Sequence, residues 1–252
     1  MIDILASSFL LSLVLLGIHS YFGLEIIRRG IIFTDLAIGQ MAALGAAVAI
    51  LFCEGHYIYP ISLVFALGAA LISALASHRE KHLEAFIGLL YAFGASGVFI
   101  LLSRSPHGME EFNNLLAVDI LLIPIQKIIP IAVLYLFLGI FIVFINQKTH
   151  GFIKDLLFFT TFAFTVTSSV QLAGVFVVFA LLVGPAFTAA KFKNGNPLII
   201  AWCIGLAINL IAITVSYRFD LPTGYTIVLL HSFTAMMSSL MRKERGKGEL
   251  RK

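Results

Sequence analysis

Few side chains in this chain can do chemistry, and nearly all of them sit inside long apolar runs. They are His19, Glu25, Asp35, Gln40, Glu84, Gln171, Asn209 and His231, with Asp220 at the end of a run. A charged side chain at the centre of a bilayer costs about 3 kcal/mol or more unless it faces a bundle interior or a wet cavity. Each of these residues is therefore a candidate for the lining of a path that carries a polar cargo. Carboxylate, amide and imidazole groups are also the ligand types that bind divalent cations.

Asp35 and Gln40 open the run IIFTDLAIGQMAALGAAVAI, where Gly39, Ala43 and Ala47 recur every four residues and let a neighbouring helix approach closely. That run should be central in a bundle. Five residues turn a helix by about 140°, so Asp35 and Gln40 cannot clamp one ion from a single face. A cap, or a salt bridge to Arg28 or Arg29, is an equally good account of Asp35. His231 lies near the middle of the last run with Thr234 and Ser238 along the same stripe, and His19 lies in the first run. Either imidazole is a metal ligand or a helix-to-helix hydrogen-bonding group. Glu84 opens the fourth run, and Glu25 reaches the interface. The candidate metal-path residues are thus Asp35, Gln40, His19, His231 and Glu84.

Thr161, Thr165, Ser168 and Ser169 line one side of another run, where hydroxyls either hydrate a path or bond the next helix. Pro185, beside Gly184, is expected to kink its helix. No HExxH, GxSxG, Walker lysine or pair of carboxylates placed for acid and base work is present. An enzyme is therefore not expected, and neither is a bound cofactor. Cys53 and Cys203 show no CxxC spacing, so they argue for no disulfide and no thiolate metal site.

The elements that must hold these groups follow from composition. Of 252 residues, 60% are hydrophobic and 12% are charged, and the mean hydropathy is +1.02. Apolar runs of this length read as an all-α, polytopic bundle. A barrel is excluded because its strands alternate apolar and polar residues. The runs place spans at 4–24, 31–53, 58–78, 84–103, 123–146, 156–171, 172–191, 197–217 and 222–241. The sixth and seventh together cover only residues 156–191, so one of them is short, tilted or broken and the count is eight or nine. The N-terminal run carries Asp3 and lacks a basic lead, and so reads as a retained span.

Nine spans with the N-terminus outside put 14 of the 17 Lys and Arg residues on the cytoplasmic side, as the positive-inside rule requires. The chain divides into one transmembrane domain, 1–241, and a basic cytoplasmic tail, 242–252. Residues 105–124 read either as a short external surface helix or as a plain loop. The net charge of +4 belongs to span ends and does not indicate nucleic acid.

Four stretches in order carry a family resemblance: RRGIIFTDLAIGQMAALGAA, EAFIGLLYAFGASGVFILL from Glu84, SSVQLAGVFVVFALLVGPAFTAA from Ser168, and DLPTGYTIVLL from Asp220. The chain resembles the integral-membrane permease subunits of ATP-binding-cassette importers for zinc, manganese and iron. The resemblance implies a homodimer in a bacterial inner membrane, a cytoplasmic ATP-binding subunit, an extracytoplasmic metal-binding protein and a divalent metal ion as cargo. Relatives commonly show Asp and, four residues on, His in the second span. Here the matching positions are Leu36 and Gln40, with Asp35 one residue away. The segment NQKTHGFIKD is also shorter than the region relatives use to dock their ATPase.

Two other functions fit the residues. A gradient-driven secondary transporter would use Asp35, Glu84 and His231 as its titrating set. An assembly factor would use its buried polar groups only to fix packing.

Overall fold

An apolar run in lipid must satisfy its backbone internally, and a helix does so within one segment. In a computed structural model that describes residues 2–105, 110, 120, 123–192 and 194–240, every predicted span is a helix. These are α1 (Ile2–Arg29), α2 (Thr34–Phe52), α3 (Ile58–Arg79), α4 (Leu83–Leu102), α5 (Ile125–Lys148), α6 (Gly151–Ala173), α7 (Val175–Ala189), α8 (Pro197–Phe219) and α9 (Thr223–Leu240). Seven of them are long and apolar enough to cross a membrane. Most of the 105–124 segment and the whole 242–252 tail lie outside the described residues.

The crowded sixth and seventh spans resolve unequally. α6 has 23 residues and α7 only 15, so α7 rises about 22 Å, less than the roughly 30 Å of a hydrocarbon core. Gly174 joins them at φ 82° and ψ 161°, a region open essentially to glycine alone. α7 runs through Pro185 without a break. The segment NQKTHGFIKD is mostly helical, leaving only Thr149 and His150 between α5 and α6.

α2 and α6 are mostly buried, whereas α4 and α5 are mostly exposed. α2 packs on α3, α4, α6 and α7, which makes it central as its small-residue pattern requires. A second group forms from α1, α7, α8 and α9. Missing side chains let these helices touch. A Cβ on Gly94 of α4 would lie 3.1 Å from the Cβ of Gln40, and one on Gly45 would lie 2.7 Å from Ser62 Cα. Gly23 of α1 sits against the Leu182 carbonyl of α7.

Charges collect at one end. Arg29 of α1 bonds Glu25 at 3.1 Å and Asp155 of α6 at 2.6 Å, and His78 of α3 lies 3.1 Å from the same Asp155. The ends of α1 and α3 and the start of α6 therefore share one face. Lys191, after α7, reaches Ser238 of α9 at 3.1 Å and so places two more ends there. A cleft of about 330 Å³ opens on this face between Glu25, Arg28, Lys154 and the start of α8 at Asn196 to Leu198.

Candidate functional site

All five candidate residues are at least partly withdrawn from the surface. His19 and His231 are fully buried, Asp35 is 1% exposed and Gln40 4%, and Glu84 is half-buried. They do not converge. Among the described residues, no three His, Cys, Asp or Glu side chains group so as to hold a metal ion.

His19 belongs to the seam of α1, α5 and α6. Its Nδ1–H donates to the Leu15 carbonyl at 2.7 Å, and its Nε2 lies 3.1 Å from Ser169 Oγ. Tyr135 of α5 stands edge-on to the imidazole at 6.2 Å and meets Ser168 Oγ at 3.1 Å. The hydroxyls of α6 therefore bond neighbouring helices. They also bond their own backbone, as where Thr165 donates to the Thr161 carbonyl at 2.9 Å. In this arrangement His19 is a packing group with both nitrogens engaged.

His231 lies in a different seam, among α7, α8 and α9. Its Nε2 is 2.8 Å from Oδ1 of Asn209. Nδ1 has no partner and faces Gly184, whose Cβ would stand 3.2 Å away. Gly184 thus makes room for the imidazole, and Pro185 beside it packs toward Gly205 of α8, so this part of α7 acts as a packing surface.

The entry of α2 gathers the carboxylates. Glu84 Oε1 accepts the backbone N–H of Phe33 at 3.2 Å, which caps α2 from α4, while Oε2 is buried without a partner. Asp35 sits in the first turn of α2, where the helix dipole favours a negative charge. Neither of its oxygens has a partner. The salt bridge to Arg28 or Arg29 is not formed, because Arg28 is held by Glu25 and Arg29 by Glu25 and Asp155. Gln40 Oε1, a turn and a half further on, is likewise buried and unpartnered. Asp35 shares a face with Gly39, which looks onto Val166 and Val170 of α6 and Val175 of α7, whereas Gln40 packs beside Gly94 of α4.

α2 thus carries three buried acceptor atoms with nothing to accept from. Leaving a buried polar group unpaired costs about 1 to 3 kcal/mol, and more if it is charged. A passing cation would satisfy such atoms, and stations of this kind bind weakly enough to release. Ser20, Ser62, Ser73 and Thr167 contribute further buried, unpartnered hydroxyls that sequence inspection passed over. Asn209 was visible as a buried amide, but its pairing with a histidine 22 residues away leaves no sequence signal. The charged network around Asp155 was missed in the same way.

The ABC 3 transport family model matches residues 1–242. The manganese transport system membrane protein MntC of Listeria monocytogenes is 28% identical, with 94% of this chain and 90% of that protein aligned. The high-affinity zinc uptake system membrane protein ZnuB of Haemophilus influenzae is 25% identical over 97% of this chain and all of that protein. Among solved structures, PsaBC from Streptococcus pneumoniae in complex with Fab superposes with a TM-score of 0.73 at 19% identity, covering 93% of this chain and 90% of the other. At that identity the likeness shows a shared fold.

Proposed function

The chain belongs to the ABC 3 transport family and is a multi-pass membrane transport permease, and from that premise we propose that it conducts a divalent metal cation in an ATP-driven importer. The observation that carries this reading is the set of unpartnered oxygens on central α2, Asp35 Oδ1 and Oδ2 and Gln40 Oε1. A neutral or anionic cargo would find no donor there. Asp35 and Gln40 are the primary stations, Glu84 caps the entrance to α2, and His19 and His231 hold the flanking seams in place. The domain is residues 1–241, with 242–252 as a cytoplasmic tail.

ATP hydrolysis belongs to a separate cytoplasmic subunit, because no Walker lysine occurs in the sequence. Its docking face is the charged end, where the Arg28 and Lys154 cleft lies and where the positive-inside rule places the cytoplasm. The external partner is a metal-binding protein, and the functional unit is a homodimer in a bacterial plasma membrane. Two copies double the ligands available to a cation, which a single chain does not group by itself.

The test is metal accumulation in cells that express the chain with its ATP-binding subunit, compared with cells in which that subunit carries an inactivating change. Accumulation that depends on active ATPase supports the assignment. Accumulation that instead follows a proton or sodium gradient, with the ATPase inactive, contradicts it.

A further inference from the structure

We infer that the cargo path along α2 is an oxygen-donor path and that Gln40 sets a preference for a manganese-like cation over zinc. The inference rests on the permease reading above and specifies its cargo. Similarity alone leaves the metal open, since a manganese relative and a zinc relative match this chain about equally, at 28% and 25% identity.

The donor set on α2 is chemically uniform. Its buried, unpartnered side-chain atoms are Asp35 Oδ1, Asp35 Oδ2 and Gln40 Oε1, all oxygens. The two residues lie about 7.5 Å apart along the helix axis, so they form successive stations and not one cage. Gln40 is held in place by the near contact of α2 and α4 at Gly94.

Nitrogen and sulfur donors are committed elsewhere. Both nitrogens of His19 are engaged in its own seam. The free Nδ1 of His231 faces Gly184 of α7. Cys53 is at the far end of α2, partly exposed, and Cys203 is exposed on α8. Zinc is bound in proteins largely through cysteine sulfur and histidine nitrogen, whereas carboxylate and carbonyl oxygens suit manganese. An amide oxygen at residue 40 therefore favours the harder ion, and an imidazole there would favour zinc.

The complete transporter, with its ATP-binding and external subunits, is expressed in cells lacking their own manganese and zinc importers. Uptake of radiolabelled manganese and zinc is measured for wild type, Gln40→His and Gln40→Met and normalised to the amount in the membrane. Because the external partner is the same in every arm, a change in the ratio belongs to residue 40. Gln40→His should lower the manganese-to-zinc ratio about tenfold. Gln40→Met, close in shape but without the oxygen, should lower manganese uptake by a similar factor and decides the matter if the His variant does not reach the membrane. An unchanged ratio in Gln40→His, or undiminished manganese uptake in Gln40→Met, overturns the inference while leaving the permease reading intact. If wild type accumulates neither metal, the permease reading itself falls.

Discussion

Asp35 keeps a carboxylate buried at 1% exposure with no partner for either oxygen, which works against folding. Asparagine of the same shape removes the charge, so Asp35→Asn should raise stability by about 1 to 3 kcal/mol, read as a higher thermal midpoint in detergent. A lower midpoint would mean that the carboxylate has a stabilising partner after all. Ser169 illustrates the opposite case. Ser169→Ala leaves His19 Nε2 without its neighbour and should cost about 1 to 2 kcal/mol, while the exposed Thr214→Ala should shift the midpoint little. Equal shifts for the two would remove the role given to the His19 seam. Asp35, Gln40 and the two histidines were legible in the sequence because polar groups stand out in apolar runs. Which of them would be satisfied was not legible, because Ser169 and Asn209 are ordinary residues whose partners are fixed only by helix packing.

The helices themselves were legible almost to their ends. A run such as 58–78 becomes α3, Ile58–Arg79, because lipid leaves an apolar segment no alternative to internal hydrogen bonding. The shortage of chain for the sixth and seventh spans was also visible. Its resolution at Gly174, by a glycine-only conformation and a short α7, was not, since a single glycine carries no such message among the 20 in the sequence. Gly174→Ala should therefore destabilise the bundle by about 1 to 3 kcal/mol, again as a drop in thermal midpoint. A neutral substitution would show that the α6 to α7 joint adopts another backbone. The hydroxyls of α6 and the Gly184 contact with His231 show that features typical of transport paths also serve packing.

At the scale of the whole molecule, charge gave the sidedness, while apolar composition concealed the packing. Nearly every helix is apolar on all sides, so the sequence does not mark which faces meet, and the grouping of α2 with α3, α4 and α6 emerges only from the structure. The charged end is defined by Arg29, Asp155 and His78. If that end is cytoplasmic, then with Cys53 and Cys203 replaced, His56→Cys on the α2 to α3 turn should react with an impermeant maleimide in intact cells. His82→Cys, before α4, should react only after permeabilisation, and the reverse pattern would invert the orientation. The most direct test of the account is ATP-dependent divalent-metal uptake by the reconstituted transporter, comparing wild type with Asp35→Asn. The account predicts at least a tenfold loss of uptake in a variant that is no less stable and equally abundant. Full uptake by Asp35→Asn would contradict it.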